Sequence, residues 1–278
     1  MQHTTLIDVP TLAANLDHPD WAVFDCRFDL FKPEAGRAAY TEGHIPGARF
    51  ADLEADLSGP VTPATGRHPL PDPEQLATRL GAWGVDRMVQ VVVYDADIGA
   101  YAARLWWLLR WLGHDAVALL DGGLRAWTEA GGALTTALPE RAPRRFTAEV
   151  DGRLAVPVAA LQAGGQGPLI DARTEARFRG EAEPIDPVAG RIPGAVNLPL
   201  GGNLDPRGRF LPAAELRARY ATTLGDAAPA SAVHYCGSGV SACHNVLAME
   251  HAGLHGSRLY VGSWSEWIRD PSRPVATG

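Results

Sequence analysis

Short, continuous apolar runs alternate along this chain with stretches of helical period, and the same order of elements occurs twice. In the first half, Leu6-Ile7-Asp8 reads as a short strand and residues 11–16 as a capped helix. Residues 22–27 form a buried strand ending in polar side chains. The turn-rich segment Tyr40-Thr41-Glu42-Gly43-His44-Ile45-Pro46-Gly47-Ala48 follows, then a Pro/Gly-rich stretch over 58–73 and a helix over 74–83. Val89-Gln90-Val91-Val92-Val93-Tyr94-Asp95 has the continuous apolar, β-branched character of a central parallel strand. A helix over 100–112, a strand over 116–120, and Asp121-Gly122-Gly123 leading into a helix with Trp127 complete the half.

The second half repeats this order. Leu169-Ile170-Asp171-Ala172-Arg173 matches Val23-Phe24-Asp25-Cys26-Arg27, and Arg191-Ile192-Pro193-Gly194-Ala195 matches His44-Ile45-Pro46-Gly47-Ala48. His234-Tyr235-Cys236 matches Val93-Tyr94-Asp95, and Val261-Gly262-Ser263 with Trp267 matches Asp121-Gly122-Gly123 with Trp127. The offset between partners stays nearly constant and is far too long for a solenoid repeat. It is the length of a domain, so the chain is read as a duplication. The expected fold class is α/β, with a central parallel sheet covered by helices on both faces in each half. The expected boundaries are 1–134 for the first domain, 135–152 for a Pro-containing linker of little periodicity, and 153–278 for the second.

Bulk properties narrow the function classes. A length of 278 residues suits two modest domains, and 46% hydrophobic with 21% charged residues is globular composition. A net charge of −7 argues against a general nucleic-acid partner and requires any anionic substrate to be drawn by a local arginine cluster. Three cysteines, Cys26, Cys236 and Cys243, are too few and odd in number for a disulfide framework, which fits a reducing compartment. The N-terminus lacks a basic region followed by an apolar one, and no apolar run is long enough to span a membrane. The expectation is a cytoplasmic protein with no membrane or nucleic-acid partner.

The chemistry concentrates in Cys236-Gly237-Ser238-Gly239-Val240-Ser241-Ala242. A strand ends at a cysteine, two glycines turn the chain, and a helix begins. Backbone N–H groups of the turn and the positive end of the helix dipole favour thiolate over thiol and make the sulfur nucleophilic. The first half carries Asp95 at the matching strand end and is expected to be non-catalytic. Cys26 lies at a different strand end. Cys243, two helical turns after Cys236, reads as a core residue rather than a resolving thiol. A phosphatase-type Cys-x5-Arg loop needs an arginine at position 242, which is alanine. Sulfur transfer needs none, because loop N–H groups can hold a persulfide. No His/Cys cluster has metal-ligand spacing, so no metal or organic cofactor is expected.

These residues resemble the tandem rhodanese-like sulfurtransferases, which have two homologous α/β domains and a cysteine loop in the second. The resemblance rests on His44-Ile45-Pro46-Gly47-Ala48, Asp121-Gly122-Gly123, Arg173, the loop from Cys236 to Ala242, and Gly262-Ser263-Trp264-Ser265-Glu266-Trp267, and extends from about Thr5 to Trp267. Thiosulfate-preferring members resemble Cys-Arg-Lys-Gly-Val-Thr, whereas the mercaptopyruvate group resembles Cys-Gly-Ser-Gly-Val-Thr. This chain matches the second with Ser241 for threonine. The resemblance assigns Cys236 as nucleophile with Ser238 beside it, Gly237, Gly239, Val240, Ser241 and Ala242 as the persulfide-holding loop, and Arg177 as the substrate arginine. Mammalian-type members carry a second arginine nine residues further on; here that position is Asp186, and Arg179 or Arg191 is available to substitute. The family also brings an acid and a histidine from the first half, here Glu54 or Asp52, and His68, which either relays a proton with Ser238 or serves as a loop hydrogen-bonding residue. His234 reads as structural, pointing away from Cys236, and Trp264 and Trp267 as packing residues.

The implied reaction is a two-step transfer from 3-mercaptopyruvate, a small-molecule donor, through a Cys236 persulfide to cyanide, a thiol or a thioredoxin-like protein. Thiosulfate as main donor is the alternative within the class, and a non-enzymatic persulfide carrier the alternative outside it.

Overall fold

The computed structural model describes residues 2–278. It divides into two compact units, the first residues 2–58, Pro71–Asp151 and Pro206–Arg209, the second Gly59–Leu70, Gly152–Asp205 and Phe210–Gly278. Gly59–Leu70 therefore belongs to the second unit although it precedes most of the first unit's chain.

In the first unit the elements run β1 (Leu6–Ile7), α1 (Val9–Ala13), β2 (Trp21–Asp25), α2 (Glu34–Glu42), β3 (Ala48–Phe50), α3 (Pro73–Ala82), β4 (Gln90–Tyr94), α4 (Ala102–Trp111), β5 (Val117–Leu120) and α5 (Gly123–Glu129). The five strands form one parallel sheet in the order β1-β5-β4-β2-β3, with Val23 opposite Val92 and Val92 opposite Ala118. Successive residues of a strand face opposite sides of a sheet. Val91, Val92, Val93 and Tyr94 are all fully buried, so both faces of β4 are covered. The α4 sequence, apolar nearly all round, is buried at every position but Arg110. Asp8 and Asp72 cap α1 and α3 through their carboxylates.

In the second unit the order is α6 (Val158–Ala163), β6 (Leu169–Asp171), α7 (Glu175–Arg179), β7 (Val196–Asn197), α8 (Ala213–Leu224), β8 (Val233–Tyr235), α9 (Ala242–His251), β9 (Arg258–Leu259) and α10 (Ser263–Trp267). Its four-stranded parallel sheet has the order β7-β6-β8-β9, and β8 is buried at all three residues. Trp264 and Trp267 pack with Val233, Tyr235 and Tyr260 in this unit's core.

The repeated motifs form the same interlock at the carboxyl end of each sheet. In the first unit Arg27 donates to Asp25 at 2.6 Å and to the Gly43 carbonyl at 2.7 Å, while the Tyr94 hydroxyl donates to Asp25 at 2.8 Å and accepts from Ile45 N–H at 3.2 Å. In the second, Arg173 donates to Asp171 and to the Gly190 carbonyl, both at 2.7 Å, and the Tyr235 hydroxyl accepts from Ile192 N–H at 3.3 Å. The Ile-Pro-Gly-Ala segments close type II turns, with glycine φ of 76° at Gly47 and 79° at Gly194 and an Ala N–H to Ile carbonyl bond in each. Sequence repetition at these positions thus reflects one hydrogen-bonded device used twice.

His234 lies in β8 against the Met249 sulfur (3.1 Å) and edge-on to Tyr220, and burial pushes its pKa down to about 3. The folded chain keeps it neutral, whereas the unfolded chain protonates it below about 6.5. This contribution to stability is therefore intact above pH 6.5 and is lost as pH falls toward 3. Between pH 7 and 5 it withdraws about 2 kcal/mol. Urea-unfolding free energies at the two pH values should differ by that much less in His234→Phe than in the parent. An unchanged pH dependence in the variant would contradict the assignment.

Candidate active site

Cys236 follows β8 directly, is 1% exposed, and is a free thiol. Its loop is held from α10. The Cys236 N–H donates to Ser263 Oγ at 3.1 Å, and Ser263 Oγ donates to the Tyr260 carbonyl at 2.9 Å. Trp264 N–H donates to the Cys236 carbonyl at 3.0 Å and Ser265 N–H to the Gly237 carbonyl at 2.8 Å. Among the described residues Ser263 alone has positive φ without being glycine, at 54°, the kind of backbone strain that clusters at functional sites. Gly239 has φ of 76°, and a methyl group there would lie 2.2 Å from the Val261 carbonyl oxygen. The Cys243 thiol donates to the Gly239 carbonyl at 3.3 Å from a fully buried position in α9.

The first unit shows what such a loop can hold. The Asp95 carboxylate accepts from the N–H groups of Asp97 (3.2 Å), Gly99 (2.9 Å), Tyr101 (2.9 Å) and Ala102 (3.2 Å). Burial raises its pKa while these four bonds work against that rise. Leu124 and Arg125 N–H groups bind the Asp95 and Ala96 carbonyls as Trp264 and Ser265 do in the second unit, and Gly123, at φ 58°, takes the conformation of Ser263. A strand-end loop of this shape gathers amide donors onto a negative group; in the first unit the chain's own carboxylate occupies it.

Around Cys236 the second unit assembles polar groups from Gly59–Leu70. His68 Nδ1 is 2.8 Å from Ser238 Oγ, and both side chains are buried. Arg67 N–H donates to Ser265 Oγ at 3.1 Å. The Arg67 and Arg177 guanidiniums both face Gly237, whose added methyl would meet Arg67 Nη2 at 2.9 Å and Arg177 Nη2 at 3.4 Å. Arg177 binds Glu183 at 2.7 and 3.0 Å and Asp186 at 3.3 Å, and Asp186 also accepts from Arg67. Arg173, stacked over the Trp264 ring at 4.9 Å, reaches Glu183 at 3.3 Å. Burial acts to raise the Glu183 carboxyl, but hydrogen bonds from Arg177 and the Asp186 and Ile185 N–H groups hold it below the usual range. Burial pushes the Asp186 carboxyl up, and Arg67 and Arg177 only partly offset this.

The second guanidinium at the loop is therefore Arg67, which sequence reasoning passed over although it adjoins His68. Arg179 instead pairs with Glu175 and Glu181 at the surface. Arg191 stacks on Phe178 at 4.5 Å and binds the Gly278 carbonyl at 2.8 Å. Asp52 and Glu54 belong to the first unit. There Asp52 accepts from the N–H groups of Glu54 and Ala55 and pairs with Arg37 at 3.3 Å, while Glu54 is exposed on the same turn. Cys26 is buried, and burial together with Asp25 and Asp95 pushes its thiol well up. Among the described residues no three His, Cys, Asp or Glu side chains group as a metal site, and no helix is long and apolar enough to cross a membrane.

The family model described as a rhodanese-like domain matches residues 8–130 and again 156–270. A Pseudomonas aeruginosa protein named as a 3-mercaptopyruvate sulfurtransferase is 54% identical, the alignment covering 100% of both chains. A Mycobacterium tuberculosis protein named as a thiosulfate sulfurtransferase is 43% identical over 92% of this chain and 91% of its own. Among solved structures, 3-mercaptopyruvate sulfurtransferase from Leishmania major is similar with a TM-score of 0.85 at 32% identity, over 96% of this chain and 76% of that one.

The contact between Gly239 and the Val261 carbonyl can be tested by calorimetry. Gly239→Ala should lower stability by more than ~1 kcal/mol from backbone strain alone, about 2–4 °C in Tm, with the steric clash adding to it. Gly47→Ala, at a similar φ but with nothing within 4 Å, reports the strain by itself. Equal losses at the two positions would show that Val261 does not fix the loop.

Proposed function

The chain belongs to the tandem rhodanese-like sulfurtransferases, and from that premise we propose that it moves sulfur from 3-mercaptopyruvate to a thiophilic acceptor through a Cys236 persulfide. The Cys236 thiolate attacks the donor sulfur; an S–S bond forms, the donor C–S bond breaks, and pyruvate leaves as its enolate. The enolate carbon takes a proton to give pyruvate. A thiophile then attacks the outer sulfur, and the Cys236 thiolate is the leaving group. In an assay the thiophile is cyanide; in the cell it is a thiol or a reduced thioredoxin-like protein. Three free, buried cysteines accord with a reducing, cytoplasmic setting.

One observation carries the choice of donor: the 2.8 Å contact between His68 and Ser238 in the cysteine loop. An enolate leaving group needs a proton, and a hydroxyl–imidazole pair is a route for supplying one. Sulfite, which leaves from thiosulfate, needs none. Arg67 and Arg177, facing Gly237, take the donor carboxylate. The N–H groups of the loop from Gly237 to Ala242 hold the terminal sulfur of the persulfide, as the matching loop of the first unit holds the Asp95 carboxylate. The second reading, thiosulfate as main donor, is favoured by the name of the Mycobacterium tuberculosis relative. Outside enzymology, a persulfide carrier would load Cys236 without turnover.

Replacing Cys236 with serine should abolish transfer from every donor, and retained activity would overturn the mechanism. The donor is decided by Ser238→Ala. Loss of a proton-transfer group should lower kcat with 3-mercaptopyruvate by about 10²–10⁴-fold, with a far smaller effect on thiosulfate. Equal losses with both donors would remove the argument from the leaving group.

A further inference from the structure

Resting on the donor assignment above, we infer that Asp186 is a charge filter for the donor, setting the Arg67–Arg177 pair to accept a monoanion and to resist a dianion. Asp186 follows Arg177 by nine residues and puts a negative charge among the cations at the loop. Its carboxylate lies between the two guanidiniums that face Gly237, accepting from Arg67 through Oδ1 and from Arg177 through Oδ2 at 3.3 Å. The side chain is 3% exposed, so water screens its charge poorly.

Charge accounting gives the direction. Arg67 and Arg177 are matched by Glu183 and Asp186, so the donor meets a neutral cluster rather than a doubly positive one. Glu183 is committed to the scaffold, since it also binds Arg173 and the N–H groups of Ile185 and Asp186. The Asp186 carboxylate instead binds the two arginines that meet the donor and competes with it for their N–H groups. A carboxylate such as that of 3-mercaptopyruvate carries one negative charge; thiosulfate carries two, and the second meets the poorly screened repulsion of Asp186. Burial's upward push on the Asp186 carboxyl agrees with a group whose charge is only partly offset by its partners. Asp186 acts through the arginines and is a positioning and selectivity residue, not a catalytic one.

The test compares Asp186→Asn, which keeps shape and removes charge, with Asp186→Glu, which keeps charge. The readout is Cys236 loading from each donor, followed by intact-protein mass. In Asp186→Asn the KM for thiosulfate should fall about tenfold, the effect of ~1.4 kcal/mol, with a much smaller change for 3-mercaptopyruvate. In Asp186→Glu the donor ratio should stay near that of the parent. Asp186→Ser removes the same charge with a smaller side chain and must reproduce the asparagine shift. A thiosulfate KM that is unchanged in both uncharged variants, or that moves in parallel with that for 3-mercaptopyruvate, would overturn the filter. A parent protein loaded only by thiosulfate would instead overturn the donor assignment, and the filter would still be judged by the thiosulfate KM of the variants.

Discussion

A chain of alternating charges, Asp171, Arg173, Glu183, Arg177, Asp186 and Arg67, runs from the end of β6 to the glycine beside Cys236. Each link is a carboxylate–guanidinium contact, and Asp171, Arg173, Glu183 and Asp186 have side chains at most 3% exposed. Removing one partner from such a buried pair typically costs about 3–5 kcal/mol, because the other is left charged and unpaired. The gain is geometric: a planar guanidinium bound at two points has little freedom. The arginines that face Gly237 are thus oriented by a series of contacts anchored in the sheet.

The two units share part of this arrangement. Both units share the Asp-Arg-Tyr interlock, the type II turn and the strand-end loop clasped by the following helix. The two loops diverge in what sits at the strand end. Asp95 accepts from four amides of its own loop. Cys236 places a buried thiol there, the group that the proposed reaction loads with sulfur, and the second unit adds the extension of charges from Glu183 to Arg67.

Much of this was legible in the sequence. The apolar runs named the central strands, because a parallel sheet buried on both faces leaves an uninterrupted β-branched signature at 91–94. The cysteine loop and Arg177 stood out through glycine placement and through the resemblance. Arg67 did not, because its place beside Gly237 depends on Gly59–Leu70 folding with the second unit, a long-range fact that no local period encodes. Ser263 was visible only as part of a motif; its positive φ and its bond to Cys236 N–H follow from the close approach of α10 to the loop. Nor does any local period encode the pairing of Asp186 with both guanidiniums, since Arg67 lies 119 residues away.

The central claim is that one thiol, Cys236, carries the sulfur while pyruvate departs. A single-turnover measurement without acceptor tests it most directly, by counting pyruvate released per chain and locating the added sulfur by peptide mass spectrometry. The account predicts equal amounts of pyruvate and added sulfur, with the sulfur on the peptide containing Cys236 and none on those containing Cys26 or distant sites. Pyruvate release without sulfur on Cys236, or sulfur carried by another cysteine, would contradict it.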